Sequence, residues 1–245
     1  MRGYFLSEFL SNVRHTEKII GYGGVDEMKN LVVAIDGPAG AGKSTIAQMV
    51  AKKLGYVYID TGAMYRAAAW KVLQSGQPVT EALILQVVHD THVGLENVNG
   101  QMCVKVDGID VTGEIRTPAV TGLVSQVAQL APVREKMVLL QREMAKNGAV
   151  VMDGRDIASH VLPDADVKVF LTASLEERAQ RRWQEIKDKG YAADIEELKK
   201  EIDARDKADM EREVSPLVRV PEAVLLDTTG MGIEEVVAAV LKLCR

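Results

Sequence analysis

The sequence has few residues of the kinds that bind metals or form cross-links. Its 245 residues include two cysteines and four histidines. Cys103 and Cys244 are far apart, and neither the cysteines nor the histidines have the spacing of a metal site. This excludes a disulfide framework and favours two free thiols in a reducing environment, so we expect a cytoplasmic protein.

The chain also lacks a long hydrophobic run and an excess of positive charge. No stretch of about 18 consecutive apolar residues occurs, and residues 1–15 do not form a signal peptide, so we expect no contact with a membrane. The net charge is −5 and the pI is about 5.5. This balance argues against a nucleic-acid partner. A chain of this length can still bury a sizeable core.

Residues 1–27 differ from the rest of the chain and precede a second methionine, Met28. They include Gly23 and Gly24, and such a pair shortly before an internal methionine is what translation of a ribosome-binding site would produce. We therefore expect residues 1–27 to be a disordered extension or to precede the true start of a domain at 28–245. The intact mass of the native protein would test this.

From Leu31 onwards, short apolar segments alternate with segments of helical periodicity. The predicted strands are Leu31–Asp36, Tyr56–Ile59, Ala149–Met152, Val167–Leu171 and Val224–Leu226. The predicted helices are Lys43–Leu54, Gly62–Gln74, Leu175–Lys187, Ile195–Arg212 and Ile233–Leu243. This alternation predicts an α/β fold in which helices flank a parallel β-sheet.

One region interrupts the alternation. Thr80–His92 predicts a helix, and Val93–Glu96, Gln101–Val106 and Ile109–Val111 predict short strands. The turn sequences between these strands are Asn-Val-Asn-Gly and Asp-Gly, and the second is a strong β-hairpin signal. The sequence therefore predicts a small antiparallel insert at about residues 80–116.

A phosphate-binding motif lies between the first predicted strand and the first predicted helix. Residues 37–44 match G-x-x-x-x-G-K-[ST], whose glycines let backbone N–H groups converge on a phosphate at a helix N-terminus. Lys43 can reach the β- and γ-phosphates, and Ser44 can bind Mg²⁺. The predicted nucleotide site consists of Gly37, Pro38, Ala39, Gly40, Ala41, Gly42, Lys43, Ser44 and Thr45.

Two polar segments follow predicted strands, where ligands bind in α/β proteins. After the second strand, we expect Thr61 to cap a helix and Arg66 to bind a phosphate of the acceptor. After Ala149–Met152 comes Asp-Gly-Arg-Asp. In it, Arg155 can pair with a phosphate, Asp153 can orient a Mg²⁺-bound water, and Asp156 can accept from an exocyclic amine.

Two highly charged helices carry arginines in register. Arg178, Arg181 and Arg182 share one helix face, and Arg205, Asp209 and Arg212 share another. A salt-bridged surface is the alternative explanation. We favour a mobile lid at about residues 178–195, whose closure neutralises charge on a transferring phosphoryl group and excludes water.

The motifs, in this order, resemble those of bacterial cytidylate kinases. The matching segments are AIDGPAGAGKST (34–45), DTGAMYR (60–66), TGEIRT (112–117), SQVA (125–128), VRE (133–135), DGRD (153–156), residues 163–182 and RD-x-x-D-x-x-R (205–212). The resemblance runs from about Met28 to the C-terminus. It implies a P-loop kinase with a monophosphate-binding insert and a lid, which phosphorylates CMP and dCMP with ATP and Mg²⁺ as a monomer.

The resemblance also implies roles for individual residues. Ser125, Arg134 and Asp156 would recognise cytosine, Arg66, Arg155 and Arg212 would hold the CMP phosphate, and Arg205 and Asp209 would meet the sugar. Thr61, where the family often has serine, and Tyr65 complete the expected substrate contacts. The expected catalytic residues are Lys43, Arg155, Arg178, Arg181 and Arg182.

Two other functions remain compatible with the phosphate loop. A shikimate- or gluconate-type kinase would share it, although such acceptors lack a base and leave the insert without a use. A nucleotide sensor would bind ATP and turn over slowly with any monophosphate. An acceptor panel separates these alternatives.

Overall fold

The computed structural model describes residues 30–98, 101–188 and 190–245. The prediction for residues 1–27 lies outside the described residues, as does part of the Asn-Val-Asn-Gly turn. No helix in the described ranges is long and apolar enough to span a membrane.

The strands are β1 (Val32–Asp36), β2 (Val57–Asp60), β3 (Val93–Val98), β4 (Gln101–Val106), β5 (Ile109–Asp110), β6 (Val150–Asp153), β7 (Val167–Thr172) and β8 (Val224–Asp227). The helices are α1 (Lys43–Leu54), α2 (Thr61–Gln74), α3 (Glu81–Asp90), α4 (Pro118–Gln129), α5 (Ala131–Ala145), α6 (Leu175–Asp188), α7 (Ile195–Glu211) and α8 (Ile233–Leu243). A 3₁₀ turn at Glu114–Arg116 and a π-turn at Ile157–Val161 complete the order.

The main sheet is parallel, with the order β2-β6-β1-β7-β8. Its central strand β1 is buried on both faces, because Ala34 belongs to one apolar cluster while Val33 and Ile35 belong to another. Helices α2, α4 and α5 contribute to the first cluster, and α1 and α8 contribute to the second. The predicted α/β architecture is confirmed.

The register brings the carboxyl ends of three strands to one edge of the sheet. Ile35 of β1 and Asp60 of β2 both pair with Asp153 of β6. Asp36, the last residue of β1, therefore lies beside Asp60 and Asp153 at the same edge. This edge is where the phosphate loop leaves β1.

A second sheet, antiparallel and in the order β3-β4-β5, follows α3. Asp107-Gly108 connects β4 to β5, where Val106 pairs with Ile109, so the predicted Asp-Gly hairpin is confirmed. Leu95, Val104 and Val106 bury this sheet in the same apolar cluster as α2.

Two helices, α4 and α5, lie in a region for which the sequence analysis assigned no secondary structure. Thr117 is the N-cap residue of α4 and Pro118 is its first residue, a common helix start. The buried residues Val120, Leu123 and Val127 follow at helical spacing. The local signals for α4 were therefore present in the sequence.

We predict that Gly148→Ala destabilises the protein more than Gly76→Ala. Both glycines have positive φ, 67° and 65°, which costs an alanine about 1–2 kcal/mol. A Cβ at Gly148 would lie 2.3 Å from the Asn30 carbonyl oxygen, whereas nothing lies within 4 Å of one at Gly76. Urea unfolding measures the difference, and equal losses for the two variants would contradict this account of the turn before β6.

Candidate active site

The phosphate loop runs from β1 to α1 at the carboxyl edge of the sheet. Its first residue, Gly37, has φ 147°, and a Cβ there would lie 1.9 Å from the Leu171 carbonyl oxygen of β7. Only glycine permits this close approach, which allows the loop to bend back over the sheet. Gly42 also has positive φ and precedes the first residue of α1.

Lys43 lies inside the loop that it serves. Its Nζ donates to the Pro38 carbonyl at 2.7 Å, and the side chain is buried. Burial, followed by the charge of Arg155, holds the pKa of Lys43 well below its usual range. An anion bound in the loop would counter both effects and favour the charged ammonium.

Asp153 receives hydrogen bonds from two hydroxyl groups. Ser44 Oγ donates to its Oδ2 at 3.0 Å, and Tyr58 OH donates to its Oδ1 at 2.9 Å. Burial and the charge of Asp60 raise the pKa of Asp153 to about 6. Ser44 and Asp153 thus present oxygen ligands of the kind that Mg²⁺ prefers.

These oxygens fit a Mg²⁺ ion that takes its other ligands from elsewhere. In the described part of the chain, no group of three His, Cys, Asp or Glu side chains is arranged to hold a metal. Mg²⁺ commonly binds through one or two protein oxygens together with substrate phosphates and waters. The site therefore suits a metal that arrives with a nucleotide.

The predicted helix cap at Thr61 is wrong. The N-cap residue of α2 is Asp60, whose Oδ1 accepts the Ala63 N–H at 2.8 Å. Thr61 is already the first residue of the helix, and its Oγ1 donates to the Asp153 carbonyl at 2.7 Å. The strand β2 extends one residue further than predicted, which delivers the carboxylate to the cap position.

Asp60 also holds two arginines at the mouth of the site. Its Oδ2 accepts from Arg66 at 2.8 Å and from Arg116, in the 3₁₀ turn, at 3.2 Å. Arg66 lies in the second turn of α2, as the sequence predicted. A phosphate would compete with Asp60 for these two guanidinium groups.

Asp156, just past the end of β6, lies in a buried cluster of charges. It forms close ion pairs with Arg134 of α5 and, at 3.4 Å, with Arg212. The Arg134 guanidinium lies 5.4 Å from the centre of the Tyr65 ring. Ser125, on the neighbouring helix α4, is half-buried. Three of these residues, Tyr65, Arg134 and Asp156, thus meet although they are far apart in sequence.

A second charge cluster joins β6 to α7. Arg155 Nε donates to Asp209 Oδ2 at 2.8 Å, and Arg212 Nη1 lies 3.7 Å from Asp209 Oδ1. Burial and the charge of Arg155 lower the pKa of Arg205 to about 10. The arginines of this cluster repel one another because they carry like charges. They outnumber the carboxylates between them, so this repulsion is only partly compensated.

Buried donors without partners are concentrated in these clusters. Among the described residues, six buried side-chain atoms lack a hydrogen-bond partner. Five of the six are Tyr65 OH, Arg66 Nε, Arg134 Nε, Arg205 Nε and Arg212 Nη2. A buried donor without a partner costs about 1–3 kcal/mol. The site is therefore arranged for a ligand rich in acceptors and negative charge.

Comparisons with known proteins identify relatives of this chain. The model of the cytidylate kinase family matches residues 33–245. The cytidylate kinase of Symbiobacterium thermophilum is 51% identical over 222 residues, which are 90% of this chain and 98% of that protein. The cytidylate kinase of Desulfitobacterium hafniense is 52% identical over 216 residues, which are 88% and 93% of the two chains.

This chain belongs to the cytidylate kinase family. A solved structure from Eubacterium ventriosum, described as an uncharacterized protein, covers 88% of this chain and 98% of that one, with a TM-score of 0.50 and 10% identity. At that identity, the likeness concerns the fold alone.

The three arginines of α6 have different partners. Arg178 is buried against the phosphate loop, where its Nη1 donates to the Ala39 carbonyl at 2.8 Å. Arg181 donates to the Thr228 carbonyl at 2.7 Å. Arg182 lies at the surface, 3.0 Å from Glu185. The three arginines for which the spacing predicted a shared helix face therefore have three different environments.

A cavity of about 400 Å³ lies between α6, the phosphate loop and the loop after β8. Its lining includes Gly42, Thr45, Arg181, Thr228, Met231 and Ile233. It opens beside the phosphate loop and has both apolar and polar walls. These properties suit the base and ribose of the nucleotide that the loop binds.

Several residues of the site were not predicted from the sequence. Asp36 accepts the Ile157 and Ala158 N–H groups, both at 2.8 Å, and burial raises its pKa to about 6. The strand-end rule that singled out Asp153 applies equally to Asp36 and Asp60. Arg116 and Asp206 lie in the matched segments TGEIRT and RD-x-x-D-x-x-R but were assigned no role, and Tyr58 carries no comparable local signal.

We predict that the ligand-free protein becomes less stable as the pH rises from 4.5 to 6.5. Asp36 keeps its proton up to about pH 6 in the folded protein but loses it near 3.8 when unfolded, and Asp153 behaves likewise. The folded state therefore binds more protons in this window, and each group contributes a slope of up to about 1.4 kcal/mol per pH unit.

Urea unfolding across this pH range measures the slope. Asp36→Asn is expected to flatten it, whatever its effect on absolute stability, whereas Asp203→Asn, at an exposed position of α7, leaves it unchanged. A stability that rises with pH across the window would contradict the assigned burial of these carboxylates.

Proposed function

We propose that this chain transfers the γ-phosphoryl group of ATP to CMP and dCMP, giving ADP with CDP or dCDP. The observation that carries this proposal is the group of buried donors without partners across from the phosphate loop. Those donors belong to Tyr65, Arg66, Arg134, Arg205 and Arg212. Such a group of donors suits a second substrate that carries both a phosphate and a base with exposed acceptors.

ATP would bind along the phosphate loop. Its β- and γ-phosphates would meet the loop N–H groups and Lys43, and its base would occupy the cavity beside Arg181. Mg²⁺ would be held by Ser44, with Asp153 contacting it through a water. The Ser44–Asp153 hydrogen bond of 3.0 Å supports this pairing. Bound Mg²⁺ would neutralise charge on the transferring phosphoryl group.

The acceptor would bind across the two charge clusters. Its phosphate would be held by Arg66, Arg155 and Arg212, and its sugar would meet Arg205 and Asp209. Arg66 would then exchange its contact with Asp60 for one with the phosphate, which brings its Nε into use. The antiparallel insert at about residues 80–116 would form one wall of this acceptor site.

The base would lie against Ser125, Arg134 and Asp156. A carboxylate accepts a hydrogen bond from the 4-amino group of cytosine but repels the carbonyl oxygen that uracil has there. Arg134, which Asp156 orients by a close ion pair, can donate to the remaining acceptors of the ring. Tyr65 packs against Arg134 and supports it.

Positioning and charge neutralisation would account for the chemistry. A phosphate oxygen of CMP attacks the γ-phosphorus in line, and the bond to the β-phosphate oxygen breaks, so ADP departs. No general base is needed, because the attacking oxygen is already anionic. Lys43 and Arg155 would stabilise the transition state, joined by Arg181 and Arg182 when a lid at about residues 178–195 closes.

We also propose that the enzyme acts as a cytoplasmic monomer. The two cysteines support a reducing environment because both are free in the structure. The monomeric state follows the family resemblance, and light scattering of the purified protein would test it.

We predict fast ADP release from Mg-ATP with CMP and dCMP, and slow release with UMP, AMP and GMP. Lys43→Met is expected to reduce kcat by at least about 100-fold, since it removes a charge aimed at the transferring group. Lys52→Met, which changes an exposed lysine of the same helix, is the matched control and keeps its activity. Turnover with none of the five monophosphates would refute the proposed function.

We predict that Asp156→Ala reduces kcat/KM for CMP more than for UMP. The loss of the carboxylate removes the acceptor for the 4-amino group, so discrimination between the two bases falls, on the scale of about tenfold or more for a charged hydrogen bond. The ratio of the two kcat/KM values cancels any general loss of folded protein. Glu135→Ala, at an exposed position beside Arg134, should leave that ratio intact. Equal losses on both substrates would exclude this role for Asp156.

A further inference from the structure

A buried ion pair between α6 and α7 holds the middle of the phosphate loop. Asp206 Oδ1 accepts the Ala39 N–H at 2.8 Å, and Arg178 Nη1 donates to the Ala39 carbonyl at 2.8 Å. Arg178 also forms a close ion pair with Asp206 Oδ2, and its Nε donates to the Ala173 carbonyl at 3.0 Å. Two buried charges thus secure both peptide groups of one alanine.

The same contact reaches Lys43 through a single peptide unit. The Ala39 N–H belongs to the peptide whose carbonyl is that of Pro38, and this carbonyl accepts from Lys43 Nζ at 2.7 Å. A trans peptide is planar and its N–H and C=O point in opposite directions. Whatever fixes the N–H toward Asp206 therefore also fixes the carbonyl toward Lys43.

Apolar packing surrounds this ion pair. Ala39, Ala179 and Ile202 form a small buried cluster between the loop, α6 and α7, with Leu175 and Ile195 packed against it. Both Arg178 and Asp206 are buried. Their interaction is therefore little screened by solvent, and the loss of either partner would leave a buried charge.

We propose that Arg178 and Asp206, together called the loop brace, are positioning residues that set the Pro38–Ala39 peptide plane and thereby the position of Lys43. The proposal rests on the proposed binding of ATP at this loop. Asp206 follows Arg205 and precedes Asp209 by three residues, so α7 carries both the loop brace and the acceptor contacts.

The loop brace gives Arg178 a role different from direct contact with the transferring phosphoryl group. Its Nε and Nη1 atoms are already engaged by Ala173, Ala39 and Asp206. If the loop brace acts as a unit, removal of either member should have the same effect as removal of both. If Arg178 contacts the phosphoryl group independently, the two losses should multiply.

A double-mutant cycle with Asp206→Ala, which removes the acceptor of the Ala39 N–H, Arg178→Met and the double variant tests the proposal. Each single variant should raise KM for ATP and Kd for ADP by about tenfold or more, the scale expected for hydrogen bonds to a charged group. KM for CMP should change less than threefold. The double variant should lose no more ADP affinity than the single variant that binds ADP less tightly. Losses that multiply would overturn the loop brace.

Calorimetric binding of ADP without an acceptor separates this proposal from the proposed function. A wild-type protein that binds ADP but phosphorylates no monophosphate would refute CMP kinase activity, while the loop brace could still be measured. Asp203→Asn, at an exposed position one turn earlier on α7, is the matched control and should bind ADP within twofold of wild type.

Thermal unfolding of every variant establishes that it is folded. If Asp206→Ala does not fold, Arg178→Lys replaces it, because lysine keeps a positive charge beside Asp206 but has no counterpart of the Nε donor that holds Arg178 to the Ala173 carbonyl. The same loss of ADP affinity is expected for this variant. Folded variants that bind ADP as tightly as wild type would show that the ion pair only stabilises the fold, and would overturn the proposal.

Discussion

The register of the parallel sheet is the constraint on which the rest of this protein depends. Pairing of Asp153 with both Ile35 and Asp60 makes β1, β2 and β6 end at one edge. Three carboxylates and the phosphate loop therefore leave the sheet side by side. A slip of one residue would send each strand's side chains to the opposite face and separate these groups. The burial of β1 between two apolar clusters prevents such a slip.

Three carboxylates at one sheet edge repel one another, and the fold compensates each in a different way. Asp36 accepts two backbone N–H groups, Asp60 caps α2 and pairs with Arg66, and Asp153 accepts two hydroxyl protons. Burial still raises the pKa of Asp36 and of Asp153 to about 6. The ligand-free site therefore stores unfavourable electrostatic energy that a cation, such as a metal arriving with a nucleotide, would relieve.

The acceptor side has the opposite imbalance. Arg155 and Arg212 share Asp209, and Arg134 and Arg212 share Asp156. Guanidinium groups therefore outnumber carboxylates, and several of their buried nitrogens make no hydrogen bond within the described part of the protein. Binding of an anion would satisfy those donors and separate the like charges. The helix α7 belongs to this acceptor side and also contacts the phosphate loop, so the two halves of the site share one rigid element.

The sequence by itself determined most of the elements and the phosphate loop, because both are encoded by neighbouring residues. Period-2 and period-3.6 patterns depend on local spacing, and residues 37–44 form one contiguous motif. Only the tertiary structure decided which partner each charged side chain takes. Asp206 lies 167 residues from Ala39, whose N–H it accepts, and no local pattern records that contact. The cap of α2 is a second case, because Asp60 and Thr61 are both residue types that occur at helix N-caps. The length of β2 and the hydrogen bond from Thr61 to β6 decide between them.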